Sequence, residues 1–262
     1  MFGTITGPAL AALTAPLWLA LPGLASEDAD PSGRADARAT LAAAKQSRRT
    51  AFKKTGEEKR KILEQTVAAY RLVLQHHEDE GDLCAEAAFR IGEIERSLGD
   101  APAARAAFEQ TVSRRDDAPR FAARALNELG HLARRAGDLE AALETYRRVP
   151  SEFPAQDAEA VKALTWGGKM LLQLDRGEDA RTMWLSIGRL HPSEPVAAVR
   201  AADLASQSAL DEGDRALARK ILEETEAHHS ESNLEQEWWS PEVERAVSKM
   251  KVRARLDESD DS

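Results

Sequence analysis

Small, large and polar positions recur along this chain with a period of 38 residues, and four segments align at that spacing without gaps. Gly92, Gly130, Gly168 and Ser206 fall in register, as do Ala104, Ala142, Ala180 and Ala218. Four residues after each alanine stands a large side chain: Phe108, Tyr146, Trp184 and Leu222. Gly99-Asp100, Gly137-Asp138 and Gly213-Asp214 also repeat, while the third copy has Asp175-Arg176 at that place. The pattern predicts a helical hairpin in each copy. A Gly or Ser in the first helix and an Ala in the second let two backbones approach closely, and the bulky residue one turn on fills the space between them. Gly-Asp makes the turn, with Asp opening the next helix. One hairpin cannot bury its apolar face alone, so the copies are expected to stack into an all-α, right-handed solenoid.

Either side of residues 85–230 the register softens. Asp36 to Lys54 and Glu57 to His77 predict a further helix pair around Thr55-Gly56, with Tyr70 and Val73 still in phase but the turn several residues early. Ser240-Pro241 predicts a helix start, Ser as cap and Pro at the first helical position. Val243, Ala246, Val247 and Met250 form one apolar stripe there, as expected of a capping helix over 241–256. The polar stretches 26–35 and 257–262 are expected to be a disordered linker and tail, which gives a solenoid over 36–256.

Composition agrees with a helical class. The 262 residues include 48 alanines, the best helix formers, and only 5% aromatics. The net charge of -9 argues against nucleic acid as a partner, because phosphate binding rests on a basic excess. One cysteine excludes an intramolecular disulfide framework and any multi-cysteine zinc site.

Met1 to Ala25 contains no charged residue. Its apolar run and the small residues Gly23 and Ala25 before Ser26 predict a secretory signal cleaved after Ala25. The rival is an uncleaved anchor, the only route by which this reading brings the protein to a membrane, since Ile5 to Ala25 is long enough to span a bilayer at ~1.5 Å per residue. No lysine or arginine precedes the run, and Pro8, Pro16 and Pro22 interrupt it.

The offsets Leu126-Asn-Glu-Leu-Gly130, Gly137-Asp138, Ala142, Tyr146 and Pro154 resemble the tetratricopeptide repeat, and those from Leu164 through Gly168, Ala180 and Trp184 to Pro192 do so again. The copies at 85–118 and 199–230 carry Ala88 and Ala202 where the family has a larger residue. The period exceeds the family's by about one helical turn. Segments such as Val149-Pro-Ser-Glu-Phe-Pro154 are similar to repeats of bacterial envelope proteins, among them the Tol–Pal accessory protein and the β-barrel assembly lipoprotein. Together with the leader, the resemblance implies a non-enzymatic, exported interaction scaffold without cofactor, serving the cell envelope from the periplasm. A membrane-anchored structural component of a larger complex is the alternative.

In that family the first helices line a concave groove. Carried over residue by residue, the groove positions are Arg124, Lys162 and Arg200, then Asn127, Thr165 and Asp203, then His131 and Lys169, then Arg134. This set is largely basic or amide, which suits an acidic peptide or partner tail, because cationic donors hold carboxylates well. An ordinary solvated helix face is the other reading. Glu86 and Glu93 in the first copy, and Asp203 and Asp211 in the last, break the pattern, so a basic patch should centre on the middle repeats.

The remaining polar residues read as structural. Cys84 shares register with Ala122, Ala160 and Ala198 and should be buried. His76-His77, His191 and His228-His229 share a phase near the end of a second helix, where they suit the terminal carbonyls better than a metal. No nucleophile with a paired base stands out. Trp238-Trp239 is expected either to pack beneath the capping helix or to serve as a second partner contact.

Overall fold

The computed structural model describes residues 33–235 and 241–256. Among these the chain forms eleven helices and no strand: α1 (Arg34–Ala51), α2 (Gly56–His76), α3 (Gly81–Leu98), α4 (Ala101–Ser113), α5 (Pro119–Arg135), α6 (Leu139–Glu152), α7 (Asp157–Gln173), α8 (Gly177–Leu190), α9 (Pro195–Asp211), α10 (Arg215–Glu235) and α11 (Pro241–Leu256). The 38-residue period is literal. The first helices of four hairpins begin at Gly81, Pro119, Asp157 and Pro195, and their second helices at Ala101, Leu139, Gly177 and Arg215. Each helix packs on the next, and the first helices α1, α3, α5 and α7 also touch in sequence, as a stacked solenoid requires.

The hairpin crossings show why the register exists. A Cβ placed on Gly92 would lie 2.5 Å from the Phe108 ring; one on Gly130 would lie 2.5 Å from Tyr146, and one on Gly168 2.2 Å from Trp184. Each aromatic ring therefore packs directly against the glycine sixteen residues earlier, inside its own hairpin. Ala104, Ala142 and Ala180 are fully buried beside these rings. Close packing leaves no space for another carbon.

The turns obey the same economy. Gly99, Gly137 and Gly213 adopt left-handed backbone with φ between 82° and 87°, which costs glycine nothing. Asp100, Asp138 and Asp214 then accept the backbone N–H groups of Ala103, Ala141 and Leu217. The third copy lacks glycine, and Asp175 takes the left-handed conformation itself at φ 58°, the only non-glycine to do so among the described residues. Aspartate tolerates that region better than most side chains.

Some expectations need adjustment. Helix α1 starts at Arg34, inside the stretch expected to be a linker, and is entered from a left-handed Gly33. His76, His77 and His191 do sit at helix ends, but His228 lies inside α10, which continues to Glu235. Cys84 is fully buried, with Sγ 3.0 Å from the His77 carbonyl oxygen, and burial pushes its thiol pKa up. The cap α11 packs on α9 and α10, with Val243 and Val247 buried against Val199. The charge-free leader, Trp238, Trp239 and the tail 257–262 lie outside the described residues. Among the described helices none is long and apolar enough to cross a membrane.

Candidate partner-binding groove

Helices α1, α3, α5 and α7 lie side by side, and the charges on this surface divide into two zones. Over the first three helices, acids and bases neutralise each other. Lys45 pairs with Glu86 at 2.9 Å, Arg48 with Glu93 at 2.7 Å, and Arg90 with Glu93 at 2.8 Å and Glu86 at 3.3 Å. Arg124 approaches Glu93 at 3.9 Å, and Arg96 pairs with Glu128. Burial raises the Glu93 carboxyl pKa, but hydrogen bonds and charge from Arg90 and Arg48 outweigh that and leave it below its ordinary value. Phe89 and Phe121 floor this zone, with the Arg124 guanidinium 4.4 Å from the Phe89 ring centre.

The second zone, on α5 and α7, has a different balance. The Trp166 ring is approached by the Arg134 guanidinium at 4.7 Å and the Lys169 ammonium at 4.5 Å, distances at which a cation gains from the ring quadrupole. Among the described residues neither cation has a carboxylate within ion-pair distance, and the Nε of Arg134 is buried without a hydrogen-bond partner. His131 meets Trp166 edge-on and lies 2.6 Å through Nδ1 from the Tyr146 hydroxyl. Burial, helped by Arg134, Arg135 and Arg96, lowers its pKa to about 4, so the imidazole is neutral at pH 7. Burial likewise raises the Tyr146 hydroxyl to about 12. This pair is a neutral structural contact.

The residues expected in the groove therefore occupy distinct settings. Arg134, His131 and Lys169 gather around Trp166. Lys162 is exposed but tied to Glu159 at 2.8 Å. Asn127 is only 5% exposed; its Nδ2 donates to the backbone oxygen and carboxylate of Glu159, both at 3.1 Å, so it clamps α5 to α7 from within. Arg200 is exposed on α9, in a hollow of about 380 Å³ shared with Glu242, Arg245 and Lys249 of α11, apart from the Trp166 cluster. The expected second contact, Trp238-Trp239, lies outside the described residues.

Trp166 itself escaped the sequence reading. It stands four residues after Lys162 and three before Lys169, so one face of α7 carried the signal. The seat of Arg124 on Phe89 joins two hairpins, and no local spacing announces it.

Elsewhere, His191 Nδ1 lies 2.8 Å from Asp157, while the Ser193 hydroxyl donates to the other oxygen of the same carboxylate at 2.6 Å. Serine and imidazole thus share an acid instead of forming a nucleophile–base pair. Among the described residues no group of three His, Cys, Asp or Glu side chains could hold a metal.

Comparison with known proteins gives the same architecture. The family model for the tetratricopeptide repeat matches residues 61–119 and 89–158. A solved structure of nearly identical TPR-like repeats of a putative kinesin light chain from Podosopora anserina is 15% identical, covering 78% of this chain and 99% of its own, with a TM-score of 0.50. PilF of Pseudomonas aeruginosa is 16% identical, covering 74% and 78%, with a TM-score of 0.47. MamA is 15% identical, covering 68% and 94%, with a TM-score of 0.46. No curated protein matches the sequence significantly.

Proposed function

We propose that this chain of tetratricopeptide repeats is a non-enzymatic scaffold that holds an acidic peptide or partner-protein tail in the groove formed by its first helices. Tetratricopeptide repeat proteins generally mediate protein–protein interaction and are typically not enzymes. The observation that carries the reading is the pair of cations without carboxylate partners, Arg134 and Lys169, set over Trp166 in a protein of net charge -9. A carboxylate arriving there gains two fixed donors, and the indole offers an apolar platform beside them.

The test is fluorescence anisotropy with a labelled Asp/Glu-rich peptide. Arg134→Glu plus Lys169→Glu is expected to weaken binding by ~10-fold or more, and affinity should fall with salt because exposed charges are screened within ~10 Å at 0.1 M. Arg124→Glu plus Lys162→Glu should cost less, since Glu93 and Glu159 already engage those cations. Unchanged affinity in a folded Arg134/Lys169 variant would remove the site from this groove and turn attention to Trp238-Trp239.

The apolar run and the small residues Gly23 and Ala25 before Ser26 support export to the outer side of the inner membrane. The resemblance of segments such as Val149–Pro154 to envelope repeats supports a role in assembly or maintenance of the cell envelope. Amino-terminal sequencing of exported protein should begin at Ser26. Material that kept the apolar run would favour the alternative, an anchored structural component of a larger complex.

A further inference from the structure

The turn between α1 and α2 differs from every other hairpin turn in the solenoid. Later turns carry Gly99-Asp100, Gly137-Asp138, Asp175-Arg176 and Gly213-Asp214, each with an acid; here the chain reads Phe52-Lys53-Lys54-Thr55. Phe52 is 64% exposed, the most exposed large apolar side chain among the described residues. Residues 45–61 hold eight Lys and Arg against two Glu, in a protein with an acidic excess.

Some of these cations are spoken for, since Lys45 and Arg48 turn inward to Glu86 and Glu93. Lys54 and Arg60 sit in exposed pairs with Glu58 at 2.8 Å and Glu64 at 3.0 Å, which water leaves weak and exchangeable for phosphate. Arg49, Lys53 and Lys61 are exposed and have no carboxylate within ion-pair distance among the described residues. The Arg48 guanidinium and the Lys59 ammonium lie 5.8 Å and 5.5 Å from the Phe52 ring centre, so the ring is flanked by positive charge. The hairpin itself has no need of this arrangement. Ala51, not Phe52, is the buried residue at the helix end.

We propose that this turn is a docking tip for an anionic lipid bilayer, with Phe52 entering the headgroup region and Arg49, Lys53, Lys54 and Lys61 meeting lipid phosphates. A protruding apolar ring within a cationic collar matches the two layers of such a surface. The boundary between headgroups and acyl chains receives the ring, and anionic headgroups receive the charges that surround it. An exposed ring beside cations also suits stacking on a nucleic acid, and it is the overall acidity of the protein that opposes that alternative.

Cosedimentation of the full chain with vesicles of phosphatidylcholine alone, or mixed with phosphatidylglycerol, tests the tip. The apolar leader would bind both kinds of vesicle alike, so the ratio of anionic to neutral partitioning is the quantity of interest. Wild type should favour anionic vesicles by ~10-fold or more, and salt should reduce the preference. Lys53→Glu plus Lys54→Glu should abolish the preference, and Phe52→Ser should reduce it several-fold. All three side chains are exposed, so far-UV dichroism and thermal melts should match wild type, and peptide binding in the groove should persist. Equal partitioning of wild type into both vesicle types would overturn the proposal. So would an unaltered preference in the double variant, or a short DNA duplex that displaces the anionic vesicles and needs the same lysines.

Discussion

Replacing Gly130 with alanine lowers the melting temperature by roughly 3–10 °C, and Gly168→Ala does at least as much. The added methyl has nowhere to go: it would sit 2.5 Å from a ring carbon of Tyr146, or 2.2 Å from the indole nitrogen of Trp184. Both rings are about 1% exposed and wedged between two helices, so they cannot swing aside. Overpacking of this kind costs ~1–3 kcal/mol, and each kcal/mol moves the midpoint of a domain this size by about 2–4 °C. Leucine at Gly130 or Ala142 should cost more still.

Gly188→Ala is the matched control. Its new methyl would meet the Ala198 side chain at 3.5 Å, an ordinary contact, and helix propensity should then stabilise α8 by about 0.5–1 kcal/mol. Opposite signs for two Gly→Ala changes in helices test the crossing geometry directly. Equal shifts at Gly130 and Gly188 would show that the hairpins do not pack through the 38-residue register. Hydrogen exchange should place the loss in the altered hairpin and its neighbours, because a solenoid's stability is local.

Glu93→Gln is expected to destabilise the fold by about 1–3 kcal/mol at pH 7. The carboxylate receives Arg48 and Arg90 at 2.7 and 2.8 Å and faces Arg124 at 3.9 Å, so its loss leaves three guanidiniums crowded on one face. The figure sits below the ~3–5 kcal/mol of a fully buried pair, since all four side chains keep some contact with water. The pH dependence has a definite sign. Folding lowers the Glu93 pKa, so its contribution is complete above the unfolded value near 4.5 and disappears as pH falls through the lower folded value. The gap between wild type and Glu93→Gln in denaturant melts should therefore narrow from pH 6 toward pH 3. A constant gap would mean that ion pairing is not what Glu93 supplies. The same variant also frees Arg48 and Arg124 and leaves Arg90 only Glu86, so an acidic peptide should bind it more tightly than wild type.

Much of the architecture could be read from the residues because each repeat states its own geometry locally. Gly130 and Tyr146 lie in one hairpin, and so do Gly137 and its cap Asp138; a spacing of sixteen residues or one is visible without knowing what packs on what. The groove was legible only in part. Arg134 and Lys169 could be placed on the inner face by register, yet nothing in their spacing said which basic residues would find acids. Glu93 is paired by α1 and α3 and approached from α5, and Asn127 is buried because Glu159 of the next hairpin reaches back to it.

Sequence alone therefore determined the helical class, the period, the crossings, the turns and the capping helix, since all of these rest on contacts within about forty residues of chain. Only the tertiary structure decided which charges remain available to a partner. Ion pairing between stacked hairpins depends on side-chain reach across an interface: Arg48 and Glu93 are forty-five residues apart in the chain and 2.7 Å apart in space. Stacking brings an acid to Arg124, whereas the Lys162–Glu159 pair is local to α7, and it leaves Arg134 and Lys169 on the face of Trp166.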